Sequence, residues 1–157
     1  PLINSSYQEE KIKVFNNINF GLAVGFENGL MVPVVKQVNI KSISEIAASN
    51  ARNIEAAKNS KLQESDISEG TITLSNLGMY GINNFTAVIN QPESCILAIG
   101  SIIEKPVVKD HKIVIREMMN ITGSFDHRVI DGTLGAAFLK RVKELIENPQ
   151  LLFSGPE

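Results

Sequence analysis

The stretch Ser124-Phe125-Asp126-His127-Arg128-Val129-Ile130-Asp131-Gly132 decides how this chain is read. A β-rich run, Lys112 to Ile121, leads into it. A helical pattern leads out, with Leu134, Phe138, Val142, Leu145 and Ile146 on one face and Pro149 as its stop. The stretch is therefore a strand-to-helix corner. One of the chain's two histidines sits in it, four residues ahead of an aspartate. A histidine so placed can act as a base in a cleft, because its neighbours are anchored on both sides. Asp131 precedes Gly132-Thr133-Leu134 and suits the N-cap of the helix, where its carboxylate would accept backbone N–H groups. Arg128 suits a carboxylate partner, which would stiffen the loop that carries His127.

Working upstream, Ser94 to Ile102 and Asn84 to Asn90 read as apolar, partly β-branched strands. Val107-Val108 and Lys112 to Ile115 flank Asp110-His111 as a hairpin. Thr71-Ile72-Thr73-Leu74-Ser75 alternates as a strand and ends at a turn, Asn76-Leu77-Gly78. Lys61 to Gly70 is a polar connection. Ser42-Ile43-Ser44-Glu45 matches a capping box, and Ile43, Ile46, Ala47, Ile54 and Ala57 follow at helical spacing, so 43–60 is an amphipathic helix. Ile18 to Phe26 reads as a strand, Glu27-Asn28-Gly29 as a tight turn, and Leu30 to Val38 as a second strand made irregular by Pro33. Residues 1–10 are polar and read as irregular. The order strand, strand, helix, several strands, helix predicts an α+β fold, a mixed sheet with helices on one face. No βαβ alternation and no Gly-x-Gly-x-x-Gly supports a doubly wound nucleotide fold.

Composition bounds the function classes. The 157 residues suit a single domain, with 43% hydrophobic and 20% charged residues marking a globular chain. A net charge of −2 supplies no basic field for nucleic acid or anionic membrane. The one cysteine, Cys95, permits no internal disulfide, which suits a reducing compartment. No apolar run approaches the ~20 residues of a membrane span. The chain opens at Pro1-Leu2-Ile3-Asn4 with neither an initiator methionine nor a signal peptide, as if taken from something longer.

Few other side chains offer chemistry. Ser75 ends a strand just before a turn, and is either a turn serine or a hydroxyl able to steady an oxyanion. No Gly-x-Ser-x-Gly elbow surrounds it or any other serine, which argues against a serine nucleophile. Cys95 lies in the apolar run Cys95-Ile96-Leu97-Ala98-Ile99 and reads as buried. His111 sits in a charged hairpin and reads as solvent-facing. Two histidines and one cysteine, far apart, lack metal-ligand spacing.

Asp126-His127-Arg128-Val129-Ile130-Asp131-Gly132 resembles the signature of the dihydrolipoamide acyltransferases, the catalytic core of 2-oxo acid dehydrogenase complexes. Gly70 to Met79 is similar to a second family block. Phe85 to Pro92, with Ile96 to Gly100, is similar to a third, and Gly29-Leu30-Met31-Val32-Pro33-Val34 to a fourth. The run Asp131 to Leu139 is most similar to the acetyltransferases of pyruvate dehydrogenase. Thr122-Gly123-Ser124 departs from the usual Thr-Leu-Ser, and Gln91-Pro92 from the usual Pro-Pro.

The resemblance implies that 1–157 is one domain, the C-terminal two-thirds of an acyltransferase catalytic domain. It implies a chloramphenicol-acetyltransferase-like, two-layer α/β sandwich. Homotrimers would assemble into a large hollow core, with His127 of one chain facing Ser75 of the next. The implied site residues are His127 as general base, Ser75 as oxyanion donor and Asp131 as the residue that fixes the loop. Coenzyme A would be a substrate, the lipoyl group would sit on a separate upstream domain, and no metal would be used. Partners would be that lipoyl domain, a 2-oxo acid decarboxylase and dihydrolipoamide dehydrogenase, in bacterial cytoplasm or mitochondrial matrix. Two rivals stand beside this: a non-catalytic structural core subunit, and a stand-alone chloramphenicol-type acetyltransferase. The latter favours a second histidine just before the catalytic one, where this chain has Asp126.

Overall fold

In the computed structural model, which describes residues 1–26 and 29–152, a six-stranded mixed sheet forms the frame. Its strands are β3 (Phe20–Phe26), β4 (Gly29–Met31), β5 (Val34–Val35), β6 (Ile72–Asn76), β7 (Cys95–Ile99) and β10 (Ile121–Phe125). The order is β10-β7-β6-β3-β4, with β5 also pairing β3. The central pairs β3–β6 and β6–β7 are parallel, and β10, β4 and β5 run antiparallel to their neighbours. Central strands are covered on both faces and read as continuous apolar runs. That is why Cys95-Ile96-Leu97-Ala98 is buried without alternation.

One face carries Phe20, Ile72, Cys95, Leu97 and Phe125, packed with Leu134, Phe138 and Leu139 of helix α3 (Gly132–Glu147) and with Ile130. Phe125 and Phe138 meet edge to face, with centroids 6.4 Å apart. A Cβ on Gly135 would lie 3.0 Å from the Phe125 ring, so any larger residue there would push the ring aside by a few tenths of an ångström. Helix α1 (Ile43–Lys58) lies against β3 and β5 and fully buries Ala57, and the single turn α2 (Glu64–Ile67) follows it beside β5. Its expected capping box is present: Ser42 Oγ accepts from Glu45 N, and the Glu45 carboxylate accepts from Ser42 N. The turn expected at Glu27-Asn28-Gly29 has two of its residues outside the described ones. Beyond it the expected strand breaks at Pro33 into β4 and β5, then turns through Val38–Ile40.

The structure corrects two sequence expectations. Residues 84–90 form no strand. They cross the second face of the sheet, where the half-buried Phe85, Ala87 and Ile89 line a cavity with Ala23, Thr73 and Ser75. Side chains hold them instead: Ser124 Oγ donates to the Ala87 carbonyl at 2.6 Å and Thr122 Oγ1 to Asn84 Oδ1 at 2.7 Å. The N-terminal residues are not irregular, because β1 (Ser5–Gln8) and β2 (Lys11–Val14) make a hairpin. Its turn is Glu9-Glu10, both at positive φ (49° and 61°), a geometry normally signalled by Asn, Asp or Gly. The expected Asp110-His111 hairpin is present, joining β8 (Ile103–Lys109) to β9 (Lys112–Met118).

Candidate active site

The corner after β10 is built from the backbone outward. Asp126 N–H donates to the Ser94 carbonyl at 2.9 Å, and the Asp126 carbonyl accepts from the N–H groups of Val129 and Ile130. The carboxylate of Asp126 accepts from Arg128 N at 3.1 Å and from its guanidinium at 2.6 Å (Nη2) and 3.0 Å (Nε). That pairing holds the Asp126 carboxyl below its ordinary range, the Arg128 side-chain hydrogen bond being the main cause. The guanidinium also lies over the Tyr7 ring, 4.3 Å from its centroid, tying the corner to the N-terminal hairpin. Ile130 is fully buried and pins the turn to the core. Asp131 caps α3, its Oδ1 accepting from Leu134 N at 2.8 Å, as its place in the sequence predicts.

His127 stands between these anchors. It is exposed, lines a cavity of about 340 Å³ with Phe125, Asp131, Ala136 and Leu139, and hydrogen-bonds to no described residue. Its ring is not held by Asp131, so the two form no dyad among the described residues. A rigid turn thus presents an imidazole whose two nitrogens are both free for a ligand.

Ser75 lies near the C-terminal end of β6, between Ala23 of β3 and Ala98 of β7. The small neighbours leave a clear floor around the hydroxyl. It lines a cavity of about 320 Å³ with Leu30, Val32, Phe85 and Ala87. The turn that follows is closed by Asn76, whose Oδ1 accepts from Gly78 N at 2.8 Å. Ser75 Oγ bonds to no described residue and is free to donate. Within one chain Ser75 and His127 line separate cavities that share no residue.

Cys95 is fully buried, and its thiol is pushed up to about 12 by burial, with the Glu93 charge adding to it. His111 lies exposed at the β8–β9 tip, at φ 59°. Sequence reasoning missed Glu93, which is only 3% exposed. Its Oε1 accepts from Thr73 Oγ1 at 2.9 Å and from Asn90 Nδ2 at 3.1 Å, and burial raises its pKa. It tethers β6 two residues before Ser75, and the next residue's carbonyl holds Asp126. The available signal was an acid two residues before the apolar run that begins at Cys95. Among the described residues no cluster of three His, Cys, Asp or Glu could hold a metal, and no helix is long and apolar enough to cross a membrane.

The family model for the 2-oxoacid dehydrogenases acyltransferase (catalytic domain) matches residues 1–154. The dihydrolipoyllysine-residue acetyltransferase component of the Rickettsia prowazekii pyruvate dehydrogenase complex is 44% identical over 152 residues, covering 97% of this chain and 37% of that protein. The chain thus spans little more than a third of that relative's length. The solved Azotobacter vinelandii dihydrolipoamide acetyltransferase superposes with a TM-score of 0.93 at 33% identity, covering 98% of this chain and 64% of that one. The catalytic roles of a serine, a histidine and an asparagine were studied there, at the same sequence spacing as Ser75, His127 and Asp131 here. The cubic core of a pyruvate dehydrogenase multienzyme complex matches at 0.93 and 32% identity, covering 98% of this chain and 64% of that one. A chloramphenicol acetyltransferase matches at 0.52 and 16% identity over 92% of this chain and 69% of that one, a likeness of fold alone and the one expected from the sequence.

Proposed function

Because the chain belongs to the acyltransferases of the 2-oxoacid dehydrogenases, we propose that it moves an acetyl group between dihydrolipoamide and coenzyme A. The observation that carries this is the free His127 ring on a doubly anchored turn at the mouth of a cavity. Both ends of the reaction are thioesters, so the exchange is nearly balanced and the obstacle is kinetic. A thiol with a pKa of about 8.5 is mostly protonated at neutral pH. His127 takes the proton from the coenzyme A thiol as its sulfur attacks the acetyl carbonyl. The tetrahedral oxyanion accepts a hydrogen bond from Ser75 Oγ. Collapse breaks the bond to the dihydrolipoyl sulfur, and His127 returns the proton to that leaving thiol. Acyl transfer is direct, with no acyl-enzyme, in keeping with the full burial of Cys95.

Ser75 and His127 serve one reaction only if two chains meet, His127 of one protomer facing Ser75 of the next. A homotrimer that builds a larger core supplies that seam. The matching spacing of a serine, a histidine and an asparagine in the Azotobacter vinelandii enzyme supports the assignment. Asp131, aspartate where that enzyme has asparagine, acts as a positioning residue through its cap on α3. The lipoyl group arrives on a separate domain of the complex, which also holds the 2-oxo acid decarboxylase and dihydrolipoamide dehydrogenase. The acetyl assignment leans on the pyruvate dehydrogenase relatives.

The test is transfer from acetyl-coenzyme A to dihydrolipoamide. His127→Ala should lower turnover by ~10²–10⁴, the usual scale for a lost general base. Ser75→Ala should lower it by ~10²–10³. Full turnover in the His127 variant would remove the proposed base. An assembled parent protein that transfers nothing would make this chain a structural subunit instead.

A further inference from the structure

Alternate residues of a strand point to opposite sides of its sheet, and β10 uses its two sides differently. Ile121 and Phe125 pack on the main core beneath α3. Thr122 and Ser124, with Asn120 just ahead of the strand, take the other side and meet the segment that crosses the sheet there. Asn120 Nδ2 donates to the Asn83 carbonyl at 3.1 Å and to its Oδ1 at 3.0 Å. Thr122 Oγ1 donates to Asn84 Oδ1 at 2.7 Å, and Ser124 Oγ to the Ala87 carbonyl at 2.6 Å. At the far end, the Asn90 carbonyl accepts from Glu93 N at 3.0 Å, and the Asn90 amide donates to the Glu93 carboxylate. Between these ends the Ser124 bond is the only hydrogen bond that reaches residues 85–89 among the described residues. Phe85, Ala87 and Ile89 of that stretch wall the cavity of Ser75. A segment with no backbone ladder keeps its place by few ties, and each tie counts for more.

We infer that Ser124 is a positioning residue for the Ser75 cavity: its hydroxyl fixes the wall at Ala87 and so sets the space that a thiol substrate enters. Ser124 stands three residues before His127 in the chain, yet its hydroxyl reaches the wall of the other cavity. In the assembly proposed above, the His127 and the Ser75 of one chain serve different sites. Ser124 therefore acts on the site that takes its chain's serine, and not on the site that takes its chain's histidine. The role rests on the acyl transfer proposed above, and the access of reagents to the cavity reads it separately.

Three measurements on the full chain test this. In steady-state transfer, Ser124→Ala should raise KM for a thiol substrate about fivefold, the scale of one hydrogen bond, and change kcat by less than about twofold. Ser124→Thr keeps a hydroxyl and should return KM to the parental value. A fall in kcat at unchanged KM would place Ser124 with the base and overturn the role. Next, chains carrying Ser124→Ala are co-expressed with chains carrying His127→Ala. In every mixed trimer one site joins the intact histidine of the first chain to the intact wall of the second. The mixture should regain a component with the parental KM, and a mixture with only the raised KM overturns the role. Last, Ser75→Cys is labelled with an aromatic disulfide in chains with and without Ser124→Ala. Loss of the tie should speed labelling about fivefold, while the fully buried Cys95 stays unreactive. An unchanged rate, or equal acceleration at Cys95, overturns the role. A parent that transfers no acetyl group refutes the acyl-transfer reading, and the labelling rates still decide whether Ser124 holds the wall.

Discussion

Replacing Glu93 separates the work of its hydrogen bonds from the cost of its charge. Glu93→Ala removes the acceptor of two side-chain hydrogen bonds, from Thr73 at 2.9 Å and Asn90 at 3.1 Å. A buried donor left without a partner costs about 1–3 kcal/mol. Losing buried methylene surface adds about 0.8 kcal/mol. Relief of the buried carboxylate offsets part of this, leaving a net loss of roughly 2–5 kcal/mol. At roughly 2–4 °C per kcal/mol for a chain of this size, Tm should fall by roughly 5–15 °C. Glu93→Gln keeps the Oε1 acceptor and should stay within about 1 kcal/mol of the parent near pH 4.5.

Above that pH the two should diverge. Burial holds the folded pKa of Glu93 above its ordinary value of 4.5. Between that value and the folded one, the folded chain keeps a proton that the unfolded chain has released. Stability from this group is therefore full below pH 4.5 and is lost as pH rises through the folded pKa. The Gln variant lacks this loss, so its stability relative to the parent should climb with pH. Urea unfolding of both proteins at intervals from pH 4 to 8 measures the difference. A flat difference across that range, or an Ala variant as stable as the parent, would refute the buried-tether account.

Asp131→Ala should cost about 1 kcal/mol in urea unfolding, the usual worth of an N-cap, whereas Asp131→Asn keeps an acceptor for Leu134 N and should stay near parental stability. Equal losses in both would mean that charge, and not the cap, is what Asp131 supplies. Cys95, buried and with its thiol pushed up to about 12, should resist an aromatic disulfide at pH 8 until the chain unfolds. Fast labelling of the native protein would contradict its burial.

The corner at residues 124–132 was legible because its signals are local. An N-cap aspartate, a helix face repeating every three to four residues and a proline stop act over one or two turns of chain. The same holds for the capping box at Ser42 and Glu45, and the family blocks around Ser75 and His127 were read in the same way. The N-terminal hairpin was not legible, since Glu9 and Glu10 adopt positive φ only under the pull of their paired strands. The strand-like run 84–90 misled for the opposite reason: its composition suits a sheet, and its place is across one.

Local sequence determined which side chains are candidates for chemistry, the caps beside them and the alternation that makes strands. The burial of Glu93 and the separate cavities of Ser75 and His127 were decided only by the folded chain. Which face a side chain takes depends on pairing between strands far apart in sequence, such as β3 with β6 and β7 with β10. A slip of one residue in that pairing would send every side chain to the other side.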